Sequence, residues 1–195
     1  MYHPISTEEV LRENAAYEAR INEAEEALSR RGFPRTAIFR QPVVWGEHDQ
    51  YQHVNNAHYI RWFESARMRW MERMSRTLSP EIASNLVRGR GVGIILASTY
   101  CRYRRPVTYP DTVVIGQAAL PMKFADRVTV RSQAYSVAQS AIVAEADFEC
   151  VAYDYDRLCK SSLPPEVADA LRAWTYTGED KEPYCQKTSR RGTVS

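Results

Sequence analysis

The sequence predicts an α+β fold in which an antiparallel sheet of five strands wraps around one long central helix. The first observation is a stretch over residues 59–74 in which large apolar residues recur at helical spacing. The second is a set of strand-like segments, one before this stretch and four after it. These segments cover about 37–45, 94–105, 111–121, 126–137 and 141–155. One helix among the strands of one sheet has to bury its apolar side against that sheet, which defines the fold class.

The composition indicates a single globular domain. The chain has 195 residues, of which 44% are hydrophobic and 26% are charged. Lys plus Arg number 26 and Asp plus Glu number 24, so the formal net charge of +2 gives no general reason to bind nucleic acid. The apolar runs are far shorter than the roughly 20 residues that cross a bilayer, which argues against a membrane span.

The cysteines and the N-terminus indicate an intracellular protein. The cysteines show no C-x-x-C pair and no Cys/His ligand spacing, so we expect reduced thiols and no metal site. They are Cys101, Cys150, Cys159 and Cys185. The first residues, MYHPISTEEVLRENAAYEAR, contain several Glu and lack the apolar segment of a signal peptide. We therefore expect a cytoplasmic protein, with the mitochondrial matrix as the alternative.

A long amphipathic helix is predicted near the N-terminus. Ser6 and Glu9 form a capping-box pattern, and apolar residues then recur at steps of three and four until Gly32. The apolar stripe is narrow, which favours a helix that docks on the domain or on a partner subunit over one that carries chemistry. We assign residues 1–36 to an N-terminal helical extension.

The central helix is expected to begin at Asn55 or Asn56, since asparagine is a natural N-cap. The strand before it contains Pro42, which suits the edge of a sheet. A shorter helix at about 80–86 and a basic loop with several glycines at 88–93 follow before the sheet resumes. The chain therefore returns to the sheet only after it has built both helices.

The last of the four later strands shows an alternation that predicts one buried and one wetter face of the sheet. The residues expected to point one way are Ile142, Ala144, Ala146, Phe148 and Cys150, and those expected to point the other way are Val143, Glu145, Asp147 and Glu149. We place the main domain at residues 37–160. Residues 161–195 then form a short helix, from Pro164 to about Trp174, and a tail.

The segment between the first strand and the central helix carries the candidate chemistry. Asp49 and His53 lie in a polar turn at the start of the helix, whose N-terminal amides carry roughly half a positive charge. A carboxylate beside such amides can act as a base or nucleophile while the amides stabilise an oxyanion, which suits acyl transfer. From the residues alone, a turn carboxylate at Asp49, a structural His53 and simple caps at Asn55 and Asn56 are the alternatives.

The same segment resembles the signature of hotdog-fold acyl thioesterases of the 4-hydroxybenzoyl-CoA thioesterase type. That signature has W-x-D-x-D, G-H-V-N-N, a Tyr and an E-x-x-R helix, and the matching segment is WGEHDQYQHVNNAHYIRWFESAR. It is also similar to the C-terminal hotdog repeat of plant acyl-ACP thioesterases. Their D-x-N-x-H-V-N-N-x-x-Y-x-x-W is matched by Asp49, His53, Val54, Asn55, Asn56, Tyr59 and Trp62. A weaker similarity at Y-R-R-P (103–106) and Y-P-D (109–111) extends the resemblance to roughly residues 38–158.

This resemblance implies a hotdog fold and an enzyme that hydrolyses a fatty or aromatic acyl-CoA thioester to free acid and CoA. It implies that Asp49 is the catalytic carboxylate. The backbone amide of Asn56 or Ala57 would polarise the thioester carbonyl, and His53 would orient the loop or a water molecule. No metal and no cofactor are implied.

The resemblance also places Asn55 at the substrate, and Tyr59 beside the acyl tunnel. Three positions depart from the family pattern: Glu47 replaces the first Asp of the D-x-D pair, and Tyr51 and Pro106 stand where plant enzymes have Asn and Glu. These departures favour a mechanism with one carboxylate and keep open a non-catalytic acyl-binding or assembly subunit. A hotdog hydratase fits poorly, because its motif spaces Asp and His by five positions with an intervening Pro.

Arginines are the candidate contacts to the CoA phosphates, because guanidinium groups bind phosphate in a bidentate manner. The basic cluster consists of Arg88, Arg90, Arg102, Arg104 and Arg105. We expect Arg88, Arg90 and Arg104 at the substrate, with solvated or carboxylate-paired side chains as the alternative. Hotdog relatives pair the strand around 94–105 with its symmetry mate, so the resemblance also implies a homodimer or a dimer of dimers.

Overall fold

The computed structural model describes residues 6–179 and 183–184. The helices are α1 (Thr7–Arg30), α2 (Asn56–Ser75), α3 (Pro80–Arg88) and α4 (Pro165–Ala173). The strands are β1 (Ile38–Pro42), β2 (Val92–Tyr103), β3 (Thr112–Ala119), β4 (Arg127–Ser136), β5 (Ala141–Asp154) and β6 (Cys159–Lys160). The predicted α+β class, the central helix and the five main strands are confirmed.

The strands form one antiparallel sheet in the order β1-β3-β4-β5-β2. The two-residue β6, which the sequence did not predict, pairs with β5. β1 and β2 are therefore the outermost of the main strands, and Pro42 lies in β1 as its missing N–H requires. β1 ends at Pro42, earlier than predicted, and the chain then makes a short 3-10 turn at Trp45–Glu47.

The central helix α2 packs on one face of the sheet, which we call the inner face. Phe63 of α2 meets Phe148 of β5 edge to face, with 5.8 Å between the ring centroids. Gln117 of β3 is fully buried, and its side-chain amide donates to the Phe63 carbonyl at 3.0 Å. Apolar burial and this buried hydrogen bond hold α2 across the sheet, and so fix where its N-terminus lies.

The helix α1 covers the opposite face of the sheet, which we call the outer face. Its capping box is present as predicted, and Ile21, Ala24 and Leu28 bury their side chains against β3 and its neighbours. The prediction of a wetter face is therefore wrong. Glu145 and Asp147 are only 6% and 4% exposed, because α1 and the segments that follow α1 and α4 lie over this face.

β5 carries a bulge that breaks the predicted alternation. Ala134 of β4 pairs with Ala144, whereas Tyr135 pairs with Ile142, so Val143 is the extra residue. Ile142 consequently packs with the outer-face cluster while Ala144 belongs to the inner-face cluster. The prediction that Ile142 and Ala144 share a face is wrong for this reason.

The helix α4 begins after Pro164 as predicted. The residues directly after α4 are not the expected tail, because Tyr176 is 5% exposed and its amide donates to the Ala119 carbonyl at 2.7 Å. Most of the remaining predicted tail, including Cys185, lies outside the described residues. Segments after α4 therefore add to the cover of the outer face.

Three of the cysteines, Cys101, Cys150 and Cys159, are free thiols. Within residues 6–179 and 183–184, no group of His, Cys, Asp and Glu side chains is arranged to hold a metal ion. In the same part of the chain, no helix combines the length and the apolar character that a bilayer crossing needs.

Candidate active site

Asp49 lies in a tight turn just before α2. Its backbone N–H donates to the His53 carbonyl at 2.9 Å, and its carbonyl accepts from the Gln52 amide at 3.0 Å. Gln52 closes the turn with a positive φ of 64°. The Asp49 Oδ1 atom accepts from the Tyr51 amide at 2.8 Å, which orients the carboxylate. Its Oδ2 atom has no hydrogen bond to any described residue, so it is available to a substrate or water.

Glu47 ties this turn to the central helix. Its Oε1 accepts from the Trp62 indole N–H at 2.8 Å, and its Oε2 accepts from the Val44 amide at 2.8 Å. Its backbone carbonyl accepts from the Asn55 amide at 2.9 Å. The sequence marked Glu47 only as a departure from the D-x-D pattern. Its contacts make it a positioning residue for the loop that carries Asp49.

Asn55 caps α2, and its Oδ1 accepts from the Ala57 amide at 2.9 Å. The cap thereby occupies the N–H of Ala57, one of the two oxyanion donors that the resemblance suggests. The Asn56 N–H has no acceptor among the described residues, and the Asn56 carbonyl accepts from the Tyr103 hydroxyl at 3.1 Å. The amide of Asn56 is therefore the candidate donor at the positive end of the helix dipole.

An open cavity of about 530 Å³ lies at this end of α2. We call it the Asp49 cavity. It brings together six of the predicted site residues, namely Asp49, His53, Asn55, Asn56, Tyr59 and Arg104. The departures Tyr51 and Pro106 also line it, whereas Ala57 does not. Asp49 is half-buried and His53 is exposed.

Tyr59 and Tyr103 line the same cavity. Their rings meet edge to face with 5.3 Å between centroids. Burial raises the pKa of Tyr59 to about 12, against a smaller lowering by a hydrogen bond with the Val107 backbone. Burial also raises the pKa of Tyr103 to about 12. Both phenols are therefore protonated at neutral pH, which leaves Asp49 and His53 as the candidates for proton transfer in this cavity.

The predicted arginines do not gather at one place within one chain. Arg104 lines the Asp49 cavity, but the Glu145 carboxylate holds its guanidinium, whose Nε donates to Oε2 at 2.7 Å. Arg88 and Arg90 lie just before the other end of β2. That end is about 36 Å from Tyr103, at roughly 3.3 Å per residue of strand. A single chain therefore does not bring Arg88 and Arg90 to the Asp49 cavity.

Two contributions to this site were not predicted from the sequence. The hydroxyl of Tyr103 anchors the helix start, and Glu47 anchors the loop. Strand alternation is the signal that could have found Tyr103, because it pairs with Ala144 on the inner face beside α2. Glu64 pairs with Arg61 at 3.6 Å on the exposed surface of α2 and so lies apart from the Asp49 cavity.

Comparisons with known proteins agree with this architecture. Residues 43–171, well over half of the chain, match the model of the thioesterase-like superfamily. A curated protein of Aquifex aeolicus (strain VF5), named "Putative esterase", is 24% identical over 135 residues, which cover 69% of this chain and 97% of that protein. A solved structure from Pseudomonas aeruginosa strain PAO1 has a TM-score of 0.61 and 22% identity, and the match covers 73% of this chain and 93% of the other. The 1,4-dihydroxy-2-naphthoyl-CoA thioesterase of Synechocystis has a TM-score of 0.58 and 15% identity, over 69% of this chain and 94% of its own.

The chain therefore belongs to the thioesterase-like superfamily, and its sheet around α2 is a hotdog fold, as the sequence resemblance implies. At the level of the family it is an enzyme that hydrolyses thioesters. Both solved structures are less than 25% identical to this chain, so they establish the fold and not the substrate. The substrate has to be argued from the site itself.

Proposed function

We propose that this protein is an acyl-CoA thioesterase that hydrolyses a fatty or aromatic acyl-CoA to free acid and CoA in the Asp49 cavity. One observation carries the proposal: the half-buried carboxylate of Asp49 and the unpaired amide of Asn56 border the same cavity. A carboxylate and an oxyanion donor that face one space are the two groups that acyl transfer to water needs.

In the proposed mechanism the thioester carbonyl oxygen accepts a hydrogen bond from the Asn56 N–H, where the α2 dipole favours negative charge. The Oδ2 atom of Asp49 takes a proton from an attacking water molecule or attacks the carbonyl carbon itself. If Asp49 acts as the base, the tetrahedral intermediate collapses, the C–S bond breaks, and the proton that Asp49 took from water passes to the sulfur, which releases CoA as the thiol and the free acid. If Asp49 acts as the nucleophile, breakage of the C–S bond releases CoA as the thiolate and leaves a mixed anhydride on Asp49, which a water molecule then hydrolyses to the free acid and the Asp49 carboxylate. His53 contributes through its backbone carbonyl, which accepts a hydrogen bond from the Asp49 amide and so keeps the Asp49 turn in place.

A CoA thioester is supported by the basic rim of the cavity and by the family. Arg105 is an exposed side chain on this rim, and none of the ion pairs among the described residues includes it. Because Arg104 is held by Glu145, Arg105 is the better placed of the two for a CoA phosphate. A neighbour in fold is named for its action on a CoA thioester.

We also propose that the protein is a homodimer, alone or as a dimer of dimers, built on β2. One edge of β2 pairs with β5, and its other edge has no partner in the described part of the chain. Residues 95–99 are exposed, including Ile95 at 38%. Twofold antiparallel pairing with a second copy would cover this edge. It would also set the first half of β2 opposite the second half in the other copy, which moves Arg88 and Arg90 toward the other copy's Asp49 cavity.

The activity is tested by measuring hydrolysis of a panel of aliphatic and aromatic acyl-CoAs by the full chain. We expect Asp49→Asn to fold normally and to lower kcat by about 100-fold or more, because a positioned base or nucleophile is lost. Glu64→Gln is the matched control, since this carboxylate lies on the exposed surface of α2 and pairs with Arg61. It should leave turnover near that of the wild type.

Two outcomes would contradict the proposal. An Asp49→Asn variant with a near wild-type rate would remove Asp49 from the mechanism. A wild-type chain that binds acyl-CoA and hydrolyses none of the panel would favour the non-catalytic acyl-binding subunit. The assembly is tested separately by sedimentation at micromolar concentration, where a fully active monomer would contradict the dimer.

A further inference from the structure

A second cavity lies on the inner face, under the other half of α2. It has a volume of about 690 Å³ and is bordered by α2, α3 and the first half of β2. This volume falls within the range of about 300–1,000 Å³ that is usual for small-molecule sites. Apolar side chains make up most of its wall, among them Met71, Leu86, Ile94 and Val130. We call it the Arg67 cavity, and its size and lining suit a hydrocarbon chain or an aromatic ring.

Arg67 is the buried charged residue of this wall, which Arg69, Glu72 and Arg88 also border. It is only 6% exposed, and its guanidinium lies over the Phe148 ring, 4.7 Å from the ring centroid. Its Nη1 atom is buried without a hydrogen-bond partner, and no ion pair in the described part of the chain includes Arg67. Trp70 lines the same cavity, and its buried indole N–H also has no partner. Two unpaired donors on the same helix therefore belong to the lining of one apolar cavity.

None of the residues that the structure describes supplies a hydrogen-bond acceptor to the Nη1 atom of Arg67. Two acidic residues of α2 lie near it in sequence, and both have other partners: Glu64 pairs with Arg61, and Glu72, which also lines the cavity, pairs with Arg76 at 2.9 Å. The Phe148 ring compensates the charge only in part, since a ring face attracts a cation but accepts no strong hydrogen bond. A buried charge without a partner is unfavourable. An acceptor that arrives with a ligand would remove this penalty.

We propose that Arg67 recognises an acceptor oxygen, above all a carboxylate, at the distal end of the acyl group of the thioester substrate. The acyl chain occupies the apolar cavity, and its distal carboxylate accepts hydrogen bonds from the Arg67 guanidinium, with the Trp70 N–H as a second donor. A guanidinium pairs with a carboxylate better than with any neutral group. Thioesters of ω-carboxylated acids are then preferred over plain fatty acyl thioesters of the same length.

This inference rests on the proposed thioesterase function and on the proposed pairing of β2. The Arg67 cavity borders Ile94 and Leu96 in the first half of β2. Antiparallel pairing around a twofold axis sets this half opposite the end of β2 that carries Tyr103 in the second copy. The acyl group can then extend from the Asp49 cavity of one copy into the Arg67 cavity of the other.

The test compares pairs of acyl-CoAs that differ only at the distal end, such as octanoyl-CoA and its ω-carboxyl analogue, over several chain lengths. The measured quantity is the ratio of kcat/KM within each pair. We expect the wild type to favour the ω-carboxyl substrate by about tenfold or more at the best length. Arg67→Met should reduce this ratio to about one. Arg67→Lys should retain part of the preference, because lysine keeps the positive charge but lacks the paired N–H donors of a guanidinium group.

Arg61→Met is the matched control for this ratio. Arg61 lies on the same helix, but its side chain is exposed and pairs with Glu64. The control should keep the wild-type ratio. An unchanged ratio in Arg67→Met, or a wild type that prefers the plain acyl chain at every length, would overturn the proposal.

A binding experiment separates failure of this inference from failure of the thioesterase function. Calorimetry measures the affinity of decanoate and of decanol for the wild type and for Arg67→Met. Tighter binding of decanoate that disappears in Arg67→Met supports the role of Arg67, even where no thioester is hydrolysed, and in that case only the proposed function fails. Hydrolysis that depends on Asp49, without any preference that depends on Arg67, leaves the function standing and overturns the role of Arg67.

Discussion

Two arginines are buried among the described residues, and they lie on opposite faces of the sheet. On the outer face, Arg131 pairs with Asp147 in a bidentate manner, with both N···O distances at 3.1 Å, and the two residues are directly opposite each other on β4 and β5. The rings of Tyr176 and Tyr184 lie over its guanidinium. On the inner face, the guanidinium of Arg67 lies over the Phe148 ring, has no ion-pair partner among the described residues, and lines a cavity.

The difference separates a charge that builds the fold from a charge that is available to a ligand. The pair of Arg131 with Asp147 links two neighbouring strands and gives the segments after α4 a surface to pack on. The charge of Arg131 is therefore used within the protein and is not offered to a ligand. Within residues 6–179 and 183–184, Arg67 makes no comparable contact with another strand or segment. Buried groups at functional sites are often less favourable for stability than the residues that could replace them.

The largest effect is expected where the outer-face pair is broken. Arg131→Met leaves the carboxylate of Asp147, which is 4% exposed, without its counterion. We expect a loss of about 3–5 kcal/mol in the free energy of unfolding, measured with urea. The double variant with Asp147→Leu should regain most of this loss, because it removes both charges.

Arg127→Met is the matched control for that experiment. Arg127 pairs with Asp126 and Glu149 at the half-buried start of β4, where solvent still reaches and screens the charges. The free energy of unfolding of Arg127→Met should stay close to that of the wild type. A loss in Arg131→Met no larger than that of Arg127→Met would mean that the buried pair does not hold the outer face.

A smaller effect of the opposite sign is expected on the inner face. Arg67→Met removes a buried charge whose Nη1 atom has no acceptor in the described part of the chain, and it adds a side chain that suits a largely apolar wall. The same urea unfolding should therefore show no loss of stability, or a modest gain, with Arg61→Met again as the exposed control. If Arg67→Met destabilised the protein as much as Arg131→Met, the two arginines would play the same structural role and the comparison would fail.

The sequence predicted those parts of the fold that depend on local pattern. The spacing of Tyr59, Phe63 and Trp70 predicts α2, and alternation predicts the four later strands, because each pattern follows from the geometry of one element. The bulge at Val143 and the burial of Glu145 could not be predicted in this way. Both depend on contacts between elements that are distant in the chain, as does the cover that α1 gives the outer face.

The functional residues also fall into those that a local sequence pattern predicts and those that depend on packing between elements. The turn at Asp49, the cap at Asn55 and the start of the helix are local features, and the sequence placed them together. Arg67 carries no local signal, because an arginine among other polar residues of an amphipathic helix is typical of a solvated surface. Only the packing of α2 on β5, which sets Arg67 against Phe148, reveals that its guanidinium is buried.

An effect that appears only at alkaline pH concerns Tyr59, a buried polar group on the inner face that is neutral and hydrogen-bonded with the Val107 backbone. Burial raises the pKa of Tyr59 to about 12 in the folded protein, whereas an unfolded tyrosine has a pKa near 10. Its contribution to stability is therefore complete below about pH 10 and is lost as the pH rises toward about 12, because the unfolded chain releases the phenol proton first. Tyr59→Phe should reduce the steepness of this alkaline loss by up to about 1.4 kcal/mol per pH unit. Urea unfolding at a series of pH values measures how the free energy of unfolding falls with pH. Tyr51→Phe, at an exposed position, is the matched control. Equal slopes of stability against pH in Tyr59→Phe and the wild type would show that the phenol of Tyr59 is not shielded from water.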